Sequence, residues 1–478
     1  MDQVGKMATM TRDVFLAVEG PPWRERRRGW MGGGALLCFR PRETPRRGIA
    51  VTARVPSELR KAAANLFFKA LSSPLEKVCR LLLVFVAAPR LGAASFGAFQ
   101  FASTVAALLS GCTEFGLGTW TTRAIARDVE RAGAILAVGF RFRMAAAVPY
   151  VLLLGSFALA QAPGTSQRVF VLLGAATLAG SFVDYIGAIL RGYEDFRREA
   201  VVHALRGTLS VAGALGALHW FGSLLGFAAG LTAGAAASAG LGLVLLGHRG
   251  RTRPPSAVGP AFDRKTARVA IRQAIPIWLT GLLSTLYFRS DVVLVRYFCG
   301  DSEVGGYGAA YRVFEASTIL PSTIMAVAFP RLARAPRMPQ GHLTGLEGRL
   351  VAFMAILGTI AGLVLYVAGA RFTGWVFGSG FARSAISLRV LALDVPVLFV
   401  NFALAPILLA RGRERRSVLF AALMLVVNVS VNLVLIPRMG GPGAAWATLV
   451  TDVSLALLCF AVLGVGRRPR PSPTEASE

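Results

Sequence analysis

Charged residues are scarce in this chain, and those present are strongly biased in type. Only 16% of its 478 residues are Asp, Glu, Lys or Arg, whereas an ordinary soluble domain has about 25%. Lysine is nearly missing, because only five of the 52 basic residues are Lys and the rest are Arg. Hydrophobic residues make up 54% of the chain and the mean hydropathy is +0.57. This composition excludes an ordinary soluble protein and predicts a polytopic membrane protein.

Cysteine and histidine are too few and too dispersed for a disulfide framework or a metal site. The five cysteines stand singly, with no CxxC pair, and the four histidines lack metal-ligand spacing. No HExxH, GxSxG or GxxxxGKS/T sequence occurs in the chain. We therefore expect no metal, no cofactor and no active site of a conventional soluble enzyme.

The net charge of +27 does not by itself indicate a nucleic-acid partner. No basic stripe interleaved with aromatic residues occurs, although nucleic-acid recognition favours such a pattern. Lys and Arg instead concentrate in short connections between apolar runs, which is the distribution that the positive-inside bias produces. We expect no nucleic-acid partner.

Residues 1–60 differ in kind from the rest of the chain. They contain 12 basic and 6 acidic residues, in segments such as WRERRRGW and RPRETPRRG, without hydrophobic periodicity. Their apolar patch, 35–39, is too short for the core of a signal peptide. Two interpretations stay open: a disordered cytoplasmic tail, or translation from a start codon placed upstream of the native one.

Twelve apolar runs long enough to cross a bilayer follow this basic segment. Each has roughly 20 mainly apolar residues, the length that a transmembrane helix requires. The predicted fold is an all-α polytopic membrane protein with 12 transmembrane helices. The runs lie near residues 66–88, 97–120, 141–161, 168–190, 200–220, 224–246, 273–296, 306–330, 350–370, 385–410, 417–437 and 443–465.

The connections between the runs predict orientation and domain boundaries. Lys and Arg are concentrated after the even-numbered runs and in the C-terminal tail, 467–478, which places both termini in the cytoplasm. The longest connection, 248–272, contains RPPSAVGP and is predicted to be a cytoplasmic linker. It separates an N-terminal six-helix bundle, 61–247, from a C-terminal six-helix bundle, 273–466.

The two halves repeat each other. Four identities occur at an offset of 208 residues, and the segment FVDY at 182–185 recurs as FVNF at 399–402, at an offset of 217 residues. Because six is an even number, both halves enter the membrane in the same direction. This predicts a pseudo-two-fold axis along the membrane normal and a central cavity between the bundles. The identities at an offset of 208 residues are Gly92 with Gly300, Gly97 with Gly305, Ala102 with Ala310 and Arg123 with Arg331.

Charged residues inside the apolar runs are the main candidates for function. A charge at the bilayer centre costs roughly 2.5 to 3.5 kcal/mol on insertion scales, so it is expected to face protein or a wet cavity. A guanidinium binds oxyanions through two hydrogen bonds and stays charged when partly desolvated. The candidates for substrate binding are Arg80, Arg289, Arg312 and Arg389, and those for ion coupling are Asp291, Glu315, Asp394 and Asp452.

Spacing separates some of these candidates. Arg312 and Glu315 are three residues apart, so they share a helix face and fit a structural ion pair as well as a binding role. The same two interpretations hold for Arg80, which is four residues from an acid at position 76. Arg289 and Asp291 are two residues apart and point to different faces, so each needs a partner elsewhere.

Spacing leaves other polar residues undecided. Arg389 and Asp394 are five residues apart, which does not indicate a shared face. Asp452 fits a hydrogen-bonded carboxyl and a coupling-ion ligand equally well. Asn428 and Asn432 share a face, and we expect them to form hydrogen bonds between helices.

The segment PRLGAASFGAFQFASTVAALLSGCTEFGLGTWTTRAIARD, 89–128, carries a specific set of motifs. It closely resembles the signature of bacterial polysaccharide and O-antigen flippases of the multidrug/oligosaccharidyl-lipid/polysaccharide exporter superfamily. IPIWLTGLLSTLYFRSDVVLV and VGGYGAAYRVFE resemble the seventh and eighth helices of that family, and the resemblance extends over 66–466. The matching positions are Arg90, Gly92, Phe96, Gly97, Glu114, Phe115, Gly116, Leu117, Arg123 and Arg127.

Two positions depart from the family pattern. Ala124 stands where an acid is frequent, and Glu114 replaces the commoner Asp. Neither change removes a charge from the expected cavity, so the topology is unaffected, whereas the fine specificity stays open.

The resemblance implies alternating access. A cationic cavity would receive an undecaprenyl-pyrophosphate-linked oligosaccharide on the cytoplasmic side and open outward while the lipid tail stays in the bilayer. It also implies a bacterial inner-membrane location, a role in cell-surface polysaccharide biosynthesis, and coupling to H⁺ or Na⁺. Expected partners are the lipid-linked oligosaccharide and membrane lipid, with a polysaccharide polymerase or chain-length regulator as a further candidate.

Two other functions fit part of this pattern. A related multidrug exporter would share the fold but would need acidic residues to dominate its cavity. An integral-membrane polymerase or ligase acting on lipid-linked sugars would resemble enzymes that carry a sizeable exterior loop, whereas the exterior connections here are short.

Overall fold

The computed structural model describes residues 57–161, 163–252, 264–334, 343, 345–411 and 413–463. Residues Pro56–Glu478 form one compact unit. Residues 1–56 of the predicted N-terminal tail, the centre of the predicted linker and the C-terminal tail lie outside the described residues, so those predictions stay open there, whereas residues 57–60 of the predicted tail are helical. Every regular element within the described ranges is helical, in agreement with the predicted all-α class.

The described chain forms thirteen α-helices and one short 3₁₀ helix, Ser379–Phe381. The α-helices are α1 Ser57–Glu114, α2 Leu117–Arg127, α3 Ala132–Leu159, α4 Thr165–Gly192, α5 Phe196–Phe221, α6 Leu224–Thr252, α7 Arg264–Cys299, α8 Asp301–Ser317, α9 Ile319–Arg334, α10 Gly345–Phe377, α11 Ala382–Ala410, α12 Glu414–Met439 and α13 Gly441–Leu463.

Nine segments of the described chain are long and apolar enough to cross a membrane. One of them, Val78–Gly111, is broken at Gly92 and therefore contains parts of two helical arms. Neither α7, with its internal arginines, nor the short α8 is among the nine. The count of twelve spanning helices stays a prediction.

Several boundaries differ from the predicted runs. The predicted run 306–330 is two helices, because the chain departs from regular helix at Thr318 between α8 and α9. The linker is shorter than predicted, since α6 continues to Thr252 and α7 begins at Arg264. Arg and Lys are good helix formers and extend helices beyond their apolar parts.

The internal repeat is visible in the backbone. Gly92 breaks α1 with φ 77° and ψ 163°, and Gly300 separates α7 from α8 with φ 83° and ψ −179°. A positive φ of this kind favours glycine, because a Cβ would be strained there. The two residues matched at an offset of 208 thus make the same turn between consecutive helices.

The two arms that follow these turns touch at their starts. A Cβ at Gly97 would lie 1.7 Å from the carbonyl oxygen of Asp301, and a Cβ at Gly305 would lie 2.0 Å from the carbonyl oxygen of Ala93. Residues 93 and 301 are also related by the offset of 208, so the contact is reciprocal, as a two-fold axis requires. We call this pair of close approaches the glycine contact.

A second contact joins the far end of α1 to α7. The rings of Phe115 and Trp278 stack with centroids 4.5 Å apart and an interplanar angle of 5°. The indole of Trp278 donates a hydrogen bond of 2.7 Å to the carbonyl of Gly111. We call this the aromatic contact. It lies about 27 Å from the glycine contact along α1, at 1.5 Å per residue.

Asn428 of α12 forms hydrogen bonds to two other helices, as predicted, whereas the hydrogen bond of Asn432 stays within α12. Asn428 accepts from Ser290 on α7 at 3.2 Å and donates to Thr451 on α13 at 3.4 Å. Asn432 donates to Asn428 at 2.9 Å within α12.

The glycine contact predicts a strong effect of adding one methyl group. Gly97→Ala and Gly305→Ala would each press a Cβ into a backbone carbonyl, so we expect a loss of roughly 1–3 kcal/mol of stability. Gly240→Ala is the control, because a Cβ there meets nothing within 4 Å. Thermal unfolding of the detergent-solubilised protein measures the effect, and equal melting temperatures for all three variants would contradict the close contact.

Candidate functional site

A cavity of about 330 Å³ lies beside α1 between the two contacts. Both arms of α1 line it, together with α4, α5, α6 and single residues of α7 and α8. Its ionisable residues are Glu76, Cys79, Arg80, Glu114, Asp184, Arg206, Arg289 and Arg312. Three of the four arginines predicted to bind substrate are therefore gathered in one place from three helices.

A chain of ion pairs runs along one wall of this cavity. The Glu76 carboxylate is 3.0 Å from a guanidinium nitrogen of Arg80 and 3.0 Å from one of Arg206. Arg206 also donates to Asp184 at 2.6 Å. The predicted structural pair of Arg80 and Glu76 is therefore present, but it is half of a larger network whose charged groups also face the cavity.

A second cavity, of about 280 Å³, lies between α1 and α8 and shares Glu76, Arg80 and Arg312 with the first. Arg312 donates to Glu315 at 2.6 Å and to the side chain of Gln100 at 3.4 Å. The short spacing of Arg312 and Glu315 thus produces a local ion pair, as predicted, while both side chains line the cavity.

Arg289 differs from the other cavity arginines. It lines the first cavity, yet it has no hydrogen-bond or ion-pair partner within the described part of the chain. A desolvated guanidinium without a carboxylate is costly in a membrane protein. Its N–H groups are therefore not in direct contact with a described carboxylate, and they face the cavity.

A third cavity, of about 370 Å³, shares Glu114 and Asp184 with the first. It extends to Trp278 at the aromatic contact and to Thr119 and Thr285. At its wall the buried Arg143 donates to the carbonyl of Ser181 and lies over the ring of Tyr185 at 5.1 Å. Stacking surfaces, hydroxyls and carboxylates are groups that can bind a polar, hydroxyl-rich molecule.

The charges of these cavities are close to balance. The resemblance implied a cationic cavity, but formal charges cancel over the described lining of the first two cavities, and the third adds only Arg143 and Arg191. The basic members of the first two are Arg80, Arg206, Arg289 and Arg312, and the acidic members are Glu76, Glu114, Asp184 and Glu315.

Asp291 lies away from Arg289, as their spacing predicted. Its carboxylate is buried, with 4% of the residue exposed, and lines none of the three cavities. It accepts a hydrogen bond from the Tyr307 hydroxyl and one of 2.8 Å from the backbone N–H of Val292. These contacts tie α7 to α8.

Asp394 and Asp452 lie side by side between α11 and α13. Asp452 accepts a 2.8 Å hydrogen bond from the Tyr287 hydroxyl, and its carbonyl accepts one of 3.0 Å from Asn401. Both Asp394 oxygens are buried without a hydrogen-bond donor among the described residues. Two carboxylates this close need a shared proton or a cation between them.

Arg389 is exposed and lines none of these three cavities. It has no ion-pair partner among the residues that the structure describes. The structure therefore does not bring Arg389 together with the other three predicted arginines.

Several cavity residues were not chosen from the sequence as substrate-binding or ion-coupling candidates. Arg206 and Asp184 are 22 residues apart, so no local spacing indicated that they pair. Arg143 stood at the start of a predicted run, where it reads as a flanking charge. The usable signal was the apolar context of Arg206 and Asp184, which requires each to find a partner.

The chain is similar in sequence to known membrane proteins. A model of the family described as "Polysaccharide biosynthesis protein" matches residues 62–335. The chain is 24% identical over 202 residues to the EPS I polysaccharide export inner membrane protein EpsE of Ralstonia nicotianae, covering 42% of this chain and 45% of that one. It is 32% identical over 202 residues to a probable lipid II flippase MurJ of Rhizobium meliloti, covering 40% and 37%.

The fold is also similar to a solved structure. An inward-facing multidrug resistance MATE family transporter of the MOP superfamily aligns with a TM-score of 0.64 at 14% identity, over 81% of this chain and 93% of that one. The chain spans less than half the length of the curated relatives named above. The family model nevertheless matches more than half of the chain, and the protein therefore belongs to the polysaccharide biosynthesis protein family.

Proposed function

We propose that this protein is a flippase that moves an undecaprenyl-pyrophosphate-linked oligosaccharide across the bacterial inner membrane. The observation that carries the proposal is Arg289, a cavity guanidinium without a carboxylate partner among the described residues, surrounded by three further cavity arginines. A pyrophosphate supplies the anion that this position lacks. The protein binds and releases its substrate and makes or breaks no covalent bond in it.

In this proposal the pyrophosphate is held by Arg289 together with Arg80, Arg206 and Arg312. Arg206 takes the place that the sequence had assigned to Arg389, because Arg206 lines the cavity. The acids that pair with three of these arginines keep the empty cavity stable. They also moderate affinity, so that the substrate can leave again.

The neighbouring cavities suit the other parts of such a substrate. The second cavity adds the apolar side chains of Leu81, Ala316 and Ile319 between α1 and α8, where a polyprenyl tail could pass into the lipid. The third cavity offers Trp278 and the hydroxyls of Thr119 and Thr285 to the sugars. We place the headgroup in the first cavity, which shares lining residues with each of the other two.

Alternating access would open the glycine contact and the aromatic contact in turn. The two contacts lie at opposite ends of the second arm of α1, which follows Gly92, and each joins it to the opposite half of the chain. We propose that both termini are cytoplasmic, so that the aromatic contact faces the cytoplasm and the glycine contact faces outward. A polysaccharide polymerase or chain-length regulator would act on the substrate after its release.

Coupling to H⁺ or Na⁺ would reset the transporter. Of the predicted acids, Asp394 and Asp452 have the geometry for this role, because their adjacent carboxyl groups need a proton or a cation. Asp291 and Glu315 already have a hydroxyl and a guanidinium as partners. We assign them supporting parts in the same cycle.

A cation exporter is the second candidate. Four carboxylates line the first two cavities, and the aligned MATE transporter has the same fold. Ethidium efflux by proteoliposomes, with no movement of a lipid-linked oligosaccharide, would favour that candidate over the flippase.

Removing the Arg289 guanidinium should slow transport strongly. Arg289→Ala leaves the pyrophosphate without its central donor, and we expect a loss of flipping by at least about tenfold, as for other hydrogen bonds to charged groups. Arg371→Ala, at an exposed arginine of α10 outside the three cavities, is the matched control. Proteoliposomes that carry fluorescent lipid-linked oligosaccharide measure the rate, and equal rates for both variants would rule out this binding site.

The carboxyl pair should control ion dependence and not substrate binding. Asp394→Asn and Asp452→Asn remove the need for a shared proton or cation, so we expect transport no longer to respond to an imposed H⁺ or Na⁺ gradient. Binding of the substrate should change little, because neither residue lines the cavities. Retention of the full gradient response in both variants would refute the assignment.

A further inference from the structure

A buried histidine stands behind the ion-pair wall of the first cavity. His203 on α5 is 8% exposed, and its ring packs against Gly187 of α4, where a Cβ would come within 2.7 Å of Nε2. The ring nitrogen Nδ1 is buried without a hydrogen-bond partner among the described residues. The imidazole is thus held in a fixed slot, with Nδ1 buried and neither ring nitrogen in a hydrogen bond among the described residues.

Nδ1 of His203 faces Glu76, a residue that lines the first cavity. Nδ1 of His203 lies 3.6 Å from Oε2 of Glu76, slightly beyond hydrogen-bond distance. The other oxygen of Glu76, Oε1, is the one that contacts Arg80 and Arg206. The carboxylate therefore has one side committed to guanidinium groups of the cavity and the other aimed at the imidazole.

A second carboxylate lies on the opposite side of the ring. Nε2 of His203 is 4.0 Å from Oε1 of Glu199, which is 1% exposed and pairs with Arg191 at 2.7 Å. A protonated imidazole donates from both nitrogens. Its charged form would thus have one carboxylate for each N–H, whereas the neutral form can serve only one of them as donor.

Binding of an anion in the first cavity would change which groups pair with Glu76. A pyrophosphate that takes over the N–H groups of Arg80 and Arg206 removes the partners of Glu76 and leaves its carboxylate largely desolvated. The described lining of the first two cavities holds equal numbers of arginines and acids, so an incoming anion adds uncompensated negative charge. A proton beside Glu76 offsets one unit of that negative charge.

We propose that substrate binding is coupled to the uptake of one proton by His203, which then bridges Glu76 and Glu199. This rests on the proposed function, since it needs an anionic substrate in the cavity. The proton comes from the aqueous medium and adds to the free ring nitrogen. The imidazolium donates through Nδ1 to Glu76 and through Nε2 to Glu199, and release of the substrate returns the proton to water.

The surroundings of His203 contain the charges needed for this exchange. The described part of α6 that follows Leu224, up to Gly247, has no ionisable residue. The ionisable groups contributed by the other packed helices are Glu76, Cys79 and Arg80 from α1, Asp184 and Arg191 from α4, and Glu199 and Arg206 from α5.

Calorimetry of ligand binding counts the protons directly. The full-length protein in detergent is titrated with undecaprenyl pyrophosphate near neutral pH, in two buffers of different ionisation enthalpy. We expect an uptake of about one proton for the wild type, and an affinity that falls roughly tenfold for each pH unit of increase above neutral. Undecaprenol, which lacks the charge, should cause no uptake.

His203→Gln keeps a hydrogen-bonding side chain but cannot bind the proton. We expect its uptake to fall to near zero and its affinity to lose the dependence on pH, while binding itself persists because His203 lies outside the cavity lining. His219→Gln, at an exposed histidine of the same helix, is the control and should match the wild type. Glu76→Gln should also lose uptake and should bind more tightly than the wild type at high pH.

The outcomes separate the two proposals. Binding without proton uptake in the wild type, or unchanged uptake in His203→Gln, overturns the coupling and leaves the flippase intact. Failure of the wild type to bind undecaprenyl pyrophosphate overturns the binding site on which both rest. If His203→Gln does not fold, by its thermal melt, the Glu76→Gln result decides: unchanged uptake contradicts the coupling and lost uptake supports it.

Discussion

The structure depends on the need of each membrane-buried guanidinium for a partner. Arg80, Arg206 and Arg312 meet it with carboxylates from the same or a neighbouring helix. These pairs face cavities, and they join helices while their charged groups stay accessible from the cavity side. Arg289 lines the same cavity without such a partner among the described residues.

The contacts between the two halves likewise depend on few residues. The glycine contact needs two residues without side chains, and the offset of 208 places them opposite each other's backbone carbonyls. The aromatic contact has no such symmetry, since Phe115, directly after α1, stacks on Trp278 of α7. One end is closed by backbone proximity and the other by a ring pair, so the two ends can open by different movements.

Sequence reasoning succeeded where the physical signal was local. Hydrophobic length predicted an all-α membrane fold, and the spacing of Arg312 and Glu315 predicted their ion pair. Single-residue breaks were harder, because the kink at Thr318 between α8 and α9 lies inside a continuous apolar run. The grouping of Arg206 with Asp184 and Glu76 was out of reach, since these residues come from three helices and no short-range spacing relates them.

By itself the sequence determined that the protein lies in a membrane, that its halves repeat and that its buried charges need partners. These properties follow from run length, hydropathy and glycine position, which act locally along the chain. Only the tertiary structure decided which charge satisfies which. Packing turned Asp291 toward Tyr307 and left Arg389 outside the cavities. It also set His203 between two carboxylates. A side chain's partner depends on helix rotation and neighbour identity, which long-range packing fixes.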